Sequence, residues 1–445
     1  MNRCFKVEEI DDEKEVVNLF DLLIDQQVIR DLRASIGYIF GMAFIALGLC
    51  FLMLLLFKYF IGGTIRAIII STMLFTIALT IHLWISKRKH RTGTKWILLI
   101  VSIVITVGVF LSWKKLNFVT KVFRETTNAV FAMPFLMLLP IWVFLIDIVL
   151  LALLLFLMVM YYSCGVLTHI YGEYYTYYPT GLMVFTVLYT LLFYLYLSAF
   201  LHGCQQVIVA GAISTWYFSR EKDNILGSPI LDSLRNLRKY HLGSVALGSF
   251  IVTLMKIIRL IVKGLLKKRA FICFRILIDC CIDLMEEFVH YASEQAYIVV
   301  AMHGQPFLKS GKRATKLLIE NALSTLSVNT VGDFVLWMSK VLVGIGTMIC
   351  GEILDDGTIP FFGVTIFIGG LLGVILAHSV FRNFEICVDT IFLCYCEDTY
   401  VHDGIEHPYY ATVGLVAVVE EAKGVIEEQK MYDSIKTEPV PQTFV

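Results

Sequence analysis

Long uncharged stretches, separated by shorter polar ones, form the dominant pattern of this chain. Residues 36–57 contain no Asp, Glu, Lys or Arg, and neither do residues 96–113 or 180–218. A bilayer core needs about 20 apolar residues in one helix, whereas the outer face of a helix in a soluble protein must meet water. The pattern therefore predicts a polytopic helical membrane protein of the all-α class rather than a large soluble helical protein.

The same pattern predicts where the helices cross the bilayer. We expect about nine spans, at residues 36–57, 66–85, 96–113, 129–163, 180–218, 241–266, 271–302, 331–354 and 360–383. Pro134 and Pro140 make 129–163 either one kinked span or two short ones. Other segments are expected to be polar or amphipathic: a lead-in at 1–35, a hydrophilic loop after residue 218, a basic amphipathic helix at 312–326, and a tail at 398–445.

Residues 180–218 are too long for one perpendicular span. As a helix they measure roughly 58 Å, against about 30 Å for the hydrocarbon core. The segment must tilt, break or extend beyond the bilayer, and we expect a break near Gly203 and Gly211.

Charged residues form complementary stripes on two of the predicted helices. Lys256, Arg259 and Lys263 recur at spacings of three and four, and so share one face. Residues 271–302 carry an acidic stripe that includes Asp283 and Glu286. The two stripes either face each other or leave the bilayer, and a charge relay within the membrane is the alternative.

Composition narrows the function classes. Hydrophobic residues make up 58% and charged residues 17% of the chain, and the net charge is zero, which argues against nucleic-acid binding. The 11 cysteines lack CxxC spacing, so neither a zinc site nor a disulfide framework is expected. Walker, GxGxxG and HExxH motifs are absent from the sequence. We therefore expect no cofactor, no metal, no enzymatic activity and no ATP-driven pumping.

Several long segments resemble one family of membrane proteins. They are QQVIVAGAISTWYFSR (205–220), PILDSLRNLRKYHLGSVALGSFIVTLMKIIRLI (229–261), QAYIVVAMHGQPFLKSGKRATKLLIENALSTLSVNTVGDFVLWMSKVL (295–342) and VDTIFLCYCEDTYVHDG (388–404). Together they are similar to the choline transporter-like family. The resemblance runs from about residue 32 to about residue 410 and is densest in the second half.

The resemblance implies a ten-span protein that moves choline or related amines across the plasma or mitochondrial membrane. It implies cytosolic termini and a large extracellular loop between the first two spans. Residues 1–35 would match the end of that loop, residues 36–397 the transport domain, and residues 398–445 a cytosolic tail. Nine spans then equal the ten-span plan without its first span, and the plasma membrane is the expected location.

Choline recognition favours particular side chains. Its quaternary ammonium cannot donate an N–H hydrogen bond, so aromatic faces, with or without a carboxylate, must attract it, and one polar group must meet its hydroxyl. Trp216 and Tyr217 are the candidate aromatic wall, or else an interfacial belt beside Arg220. Gln205 and Gln206 either bind the hydroxyl or tie helices together.

Further candidates lie around residues 320–333 and in one apolar run. Glu320, Asn321, Asn329 and Asp333 either attract the cation or cap a helix that starts near Asn329. Asp147 stands alone in an apolar segment, where it serves a coupling proton or the amine, or else is the partner of Lys256 or Arg259 across the bundle.

These features support one leading hypothesis and two rivals. The leading one is a transporter for choline or related small organic cations that works by alternating access in the bilayer. The first rival is a truncated, non-transporting or channel-like membrane scaffold. The second is an enzyme of lipid headgroup metabolism, which would need clustered ligands near the interface, whereas the 10 histidines are scattered.

Overall fold

The computed structural model of the chain describes most of the predicted membrane region. The described residues are 35–85, 116–171, 174–178, 180–220, 222, 228–266, 272–354, 362–402 and 408–412, with isolated positions 96, 99, 100, 102, 103, 106 and 107. The lead-in up to residue 34, residues 86–95, most of the third predicted span and most of the tail lie outside these ranges.

Ten α-helices and one short hairpin make up the described ranges. The helices are α1 (Ile36–Ile85), α2 (Leu116–Ala132), α3 (Leu139–Ser163), α4 (Gly181–Tyr217), α5 (Pro229–Asn236), α6 (Leu242–Leu266), α7 (Ile272–His303), α8 (Phe307–Glu320), α9 (Ala322–Ile353) and α10 (Phe362–Val401). A 3₁₀ turn (Pro134–Leu138) precedes α3, and a π turn (Leu237–His241) joins α5 to α6. Strands β1 (Val166–Tyr171) and β2 (Tyr174–Tyr178) pair antiparallel, with Val166 opposite Tyr178.

Six helical stretches of the described ranges are long and apolar enough to cross a membrane. They are Ile36–Ile85, Pro134–Ser163, Gly181–Tyr217, Pro229–Gly264, Ser324–Ile353 and Gly363–Val401. The first has 50 residues, roughly 75 Å of helix, and Phe60 interrupts it with non-helical angles (φ −130°, ψ 31°). The predicted spans 36–57 and 66–85 lie on either side of Phe60. A polytopic helical membrane protein is thus confirmed, and the count of nine spans stays a prediction.

The break predicted near Gly203 and Gly211 is wrong, because α4 is one continuous helix of 37 residues. Both glycines instead allow other helices to come close. A Cβ at Gly203 would lie 2.9 Å from Val245 Cγ1, and a Cβ at Gly211 would collide with Ser233. Small residues at helix contacts serve the same purpose in many membrane proteins.

Two other predicted boundaries also shift. The stretch 129–163 divides at Met133, whose non-helical backbone (φ −130°, ψ 68°) precedes Pro134, because a proline disfavours the helical conformation of the residue before it. The segment expected as a hydrophilic loop becomes helical at Pro229, since proline is well suited to the first turn of a helix. The segment between α3 and α4 contains the β1–β2 hairpin.

The chain divides into two compact units. The first comprises residues 1–55 and 336–381, and the second comprises residues 56–335 and 382–445. In the first unit, glycines again permit close packing: a Cβ at Gly351 or Gly369 would collide with the Met42 side chain. Ser35 and Thr365 are joined there by a hydrogen bond of 2.7 Å between their hydroxyls.

The core of the second unit centres on the C-terminal half of α4. Its buried apolar side chains, Val207 and Ile208, pack with those of the π turn, α6, α7 and α8. The ring of Phe123 on α2 lies 6.2 Å from that of Phe57 and 5.7 Å from that of Phe384. The buried half of α4 therefore passes through protein, while its N-terminal half exposes large apolar side chains such as Leu182 and Phe185.

Candidate functional site

Every candidate residue chosen from the sequence lies in the second unit, but the residues do not form one site. Gln205 and Trp216 are eleven positions apart on the continuous helix α4, which separates them by roughly 16 Å along its axis. A small organic cation does not span that distance. The candidates therefore divide between two levels of the unit.

At the first level, Gln205 ties three elements together. Its Nε2 donates a hydrogen bond of 3.1 Å to Oδ1 of Asn383 on α10. Asn383 Nδ2 in turn donates a hydrogen bond of 3.0 Å to the carbonyl of Leu136 in the 3₁₀ turn. Gln205 and Gln206 are both buried, and Asn383 is completely so. The geometry of Gln205 is that of a helix tie, one of the two roles its sequence position allowed.

A second set of polar side chains, here called the polar layer, comprises Tyr291, Gln295, Asn329, Asp333 and Asp389. Asn329 Nδ2 donates to Tyr291 Oη at 3.0 Å, and Gln295 Nε2 donates to Asp389 Oδ2 at 3.2 Å. Asp333 is exposed and lies close enough to Tyr291 and Asp389 to act on both electrostatically. Helices α7, α9 and α10 thus bring two carboxylates, two amides and a phenol together.

Glu320 and Asn321 lie at the junction of α8 and α9, away from the polar layer. Asn321 ends α8, and its backbone N–H donates to the carbonyl of Leu317. Its own carbonyl accepts from the N–H groups of Ser324 and Thr325, which lie in the first turn of α9. The prediction that a helix starts near Asn329 is wrong, because α9 begins seven residues earlier. Asn321, rather than Asn329, provides the capping.

The aromatic candidates lie at the second level, where α4 ends. Trp216 and Tyr217 are buried, with exposed fractions of 3% and 1%. The Lys222 ammonium lies over both rings, 4.8 Å from the Trp216 centroid and 5.4 Å from the Tyr217 centroid. We call these three residues the aromatic end. A cation of the chain itself occupies the faces that the sequence offers to an organic cation.

Few interactions replace the water that the Lys222 ammonium loses on burial. Within the described ranges, its Nζ and the indole N–H of Trp216 have no hydrogen-bond partner. Burial lowers the pKa of Lys222 below the ordinary 10.5, while the carboxylates of Glu125 and Asp398 oppose the shift. The aromatic faces and these two charges are what hold the ammonium in place.

A carboxylate clamp closes the same end of the unit. Asp398 Oδ2 accepts hydrogen bonds from Tyr217 Oη (3.2 Å) and from the backbone N–H groups of Tyr410 and Ala411 (both 2.9 Å). Its Oδ1 accepts from His402 Nδ1 at 2.9 Å. The clamp thereby fixes residues 408–412 across the ends of α4 and α10.

Asp147 meets a histidine rather than a basic residue of α6. His202 Nε2 lies 3.2 Å from Asp147 Oδ2. Arg259, expected as a possible partner, binds Asp283 and Glu286 at 2.8 Å each. The prediction that the stripes of α6 and α7 face each other is confirmed by these pairs.

Sequence reasoning missed Lys222, Asn383, Asp389 and Asp398. The last three were recognisable as polar positions of an apolar helix, but their partners lie far away in sequence. The described ranges contain no group of three or more His, Cys, Asp or Glu side chains arranged to hold a metal ion.

Comparison with known proteins places these features in a family context. Residues 96–400 match the family model described as "Plasma-membrane choline transporter". Choline transporter-like protein 1 of Rattus norvegicus is 37% identical over 245 residues, which is 53% of this chain and 37% of the relative. The Torpedo marmorata protein of the same name is 29% identical over 429 residues, or 89% and 66%. Choline transporter-like protein 3 of Homo sapiens is 29% identical over 336 residues, or 72% and 51%. The chain thus spans about one to two thirds of the length of these relatives.

Proposed function

Because the chain belongs to the choline transporter family, we propose that it moves choline or a related small organic cation across a membrane. The family is one of transporters, and the described ranges contain six helices suited to spanning a bilayer. We place the chain in the plasma membrane, with a mitochondrial membrane as the alternative.

The polar layer is the observation that carries this proposal. A quaternary ammonium is attracted by carboxylates and by aromatic faces, the latter contributing about 0.5–2 kcal/mol each. Asp333 supplies the charge, Tyr291 supplies a ring, and Asn329 supplies an amide beside them. We assign these residues to the attraction and orientation of the cation.

Transport by alternating access would use both levels of the second unit. In this proposal the polar layer holds the cation, and the aromatic end opens when Lys222 leaves the faces of Trp216 and Tyr217. Asp147 with His202 is the candidate coupling pair, because an ionisable residue inside a spanning helix commonly serves ion movement. Since the sequence has no Walker motif, an ion gradient or the substrate gradient drives the movement.

Uptake of radiolabelled choline into proteoliposomes that contain the full chain tests the proposal. We expect saturable uptake, with a KM raised about two- to fivefold in Asp333→Asn, because that variant removes one exposed charge near the cation. Asp283→Asn is the matched control, since Asp283 binds Arg259 and Lys263 outside the polar layer.

Two outcomes would contradict the proposal. Uptake equal to that of empty vesicles would favour the non-transporting scaffold. Saturable uptake with equal KM values in Asp333→Asn, Asp283→Asn and the unmodified chain would remove the polar layer from substrate binding.

A further inference from the structure

Helix α8 carries an exposed face that is both basic and apolar. Leu308 and Ile319 are 66% and 70% exposed, and Lys309, Lys312 and Lys316 are exposed around them. These five residues recur at helical spacing, so they share one side of the helix. We call this side the basic face.

The opposite side of α8 is fixed against the protein. Phe307, Ser310, Ala314 and Leu317 are buried there. Near the middle of the helix, Arg313 forms two hydrogen bonds with Glu397 of α10, one of them of 3.1 Å from Nε. The rotation of α8 about its axis is therefore set, and the basic face points away from the core of the unit.

The connection to α9 places α8 at the membrane boundary. The candidate span Ser324–Ile353 begins only four positions after Glu320, the last residue of α8. Four positions correspond to roughly 6 Å of helix, so the end of α8 lies close to the level at which the chain enters the bilayer. Ile319 and Leu326, on the two sides of the junction, both expose large apolar side chains.

Two cations of the basic face have no partner in the described ranges. Lys316 donates a hydrogen bond of 2.9 Å to Tyr400 Oη, whereas Lys309 and Lys312 make no hydrogen bond or ion pair with the described residues. The π turn between α5 and α6, which exposes further cations, lies beside the turn that precedes α8. A Cβ at Gly304, which has a φ of +67°, would lie 3.7 Å from His241, and His241 ends a π turn that exposes Arg238 and Lys239.

We propose that the basic face of α8 binds the anionic phospholipid headgroups of the leaflet it borders. Leu308 and Ile319 enter the outer acyl region, while the ammonium groups of Lys309 and Lys312 meet phosphate or carboxylate oxygens of the headgroups. A helix with apolar side chains between lysines lies in the interfacial plane for this reason, and each lysine near an anionic surface strengthens binding about fivefold. The site is separate from the polar layer and does not depend on transport.

Lipid-dependent stabilisation of the purified full chain tests this assignment. In a neutral detergent, the melting temperature is followed while phosphatidylserine is added, and phosphatidylcholine is added in parallel. We expect phosphatidylserine to stabilise the chain more strongly. In K309Q/K312Q, the phosphatidylserine concentration at half-maximal stabilisation should rise about ten- to thirtyfold.

Matched variants separate lost headgroup binding from lost folding. K121Q/R124Q removes two positive charges from α2 and should respond to phosphatidylserine as the unmodified chain does. K309R/K312R keeps both charges and should restore the response. Melting of K309Q/K312Q in phosphatidylcholine at the temperature of the unmodified chain shows that the variant folds.

Three results would overturn the assignment. They are an unchanged phosphatidylserine response in K309Q/K312Q, an equal loss of response in K121Q/R124Q, and equal stabilisation by inorganic phosphate. The last would mean that the lysines bind a free anion rather than a membrane lipid.

Discussion

Replacing Lys222 by methionine should make the aromatic end a better binding site for organic cations. Lys222→Met keeps a side chain of similar length and removes the ammonium that lies 4.8 Å and 5.4 Å from the ring centroids of Trp216 and Tyr217. An incoming quaternary ammonium would no longer have to displace a cation that is already bound to both faces.

The size of the effect follows from these two contacts. A desolvated ammonium gains about 0.5–2 kcal/mol on an aromatic face. The burial of the Lys222 ammonium partly offsets the free energy gained from these two contacts. Displacing the ammonium from both rings therefore costs about 1–2 kcal/mol in total. The variant should therefore bind choline about five- to thirtyfold more tightly. Equilibrium binding of radiolabelled choline to the purified chain measures the change directly.

Two further variants make this experiment decisive. Trp216→Ala in the Lys222→Met background should abolish the gain, since the face that binds the substrate is then missing, and the four chains form a double-mutant cycle. Lys239→Met is the matched control, because Lys239 Nζ lies 5.0 Å from the centroid of Tyr240, a ring that is 63% exposed. A choline affinity that does not change in Lys222→Met, or a gain that persists without Trp216, would refute the reasoning.

Three other predictions concern the same unit. The pKa of Lys222 lies below 10.5, so its ammonium is lost at a lower pH than that of an ordinary lysine. Because choline stays charged, its affinity for the unmodified chain should rise with alkaline pH, and equilibrium binding should show a smaller rise in Lys222→Met. Asp398→Asn should lower the free energy of unfolding by about 2–4 kcal/mol, because an amide nitrogen then faces buried donors. A melting temperature in detergent equal to that of the unmodified chain would show that the clamp adds no stability. Gly211→Ala should lower the free energy of unfolding by about 1–3 kcal/mol, because the added Cβ collides with Ser233. In the same melting assay, Gly243→Ala should be neutral or slightly stabilising, because nothing lies within 4 Å of its Cβ. Equal effects of the two variants would contradict the packing account.

Hydropathy predicted the helices of this chain well because lipid acts on each segment separately. Every backbone polar group in a bilayer must be satisfied within its own helix, so an uncharged run of sufficient length has one available structure. The facing stripes of α6 and α7 were predictable for a related reason, since charges of opposite sign at spacings of three and four can satisfy each other only across a helix pair.

Glycine was the main source of error along α4. Gly203 and Gly211 were interpreted as breaks, yet the helix continues through both. A glycine that interrupts a helix and one that admits a neighbour look the same in a sequence, because only the position of the neighbour distinguishes them. The length of the segment was informative, but the half that enters protein rather than lipid was not identifiable.

The sequence by itself determined the membrane class, most helix positions, the family and the residue types suited to a quaternary ammonium. Only the tertiary structure decided that these residues lie at two levels, that Lys222 covers the aromatic pair, and that Asp398 meets Tyr217 across 181 positions of sequence. The physical reason is range: transfer to lipid and helical hydrogen bonding act within a few turns, whereas cation–π contacts and buried carboxylate bonds depend on helices brought together by packing.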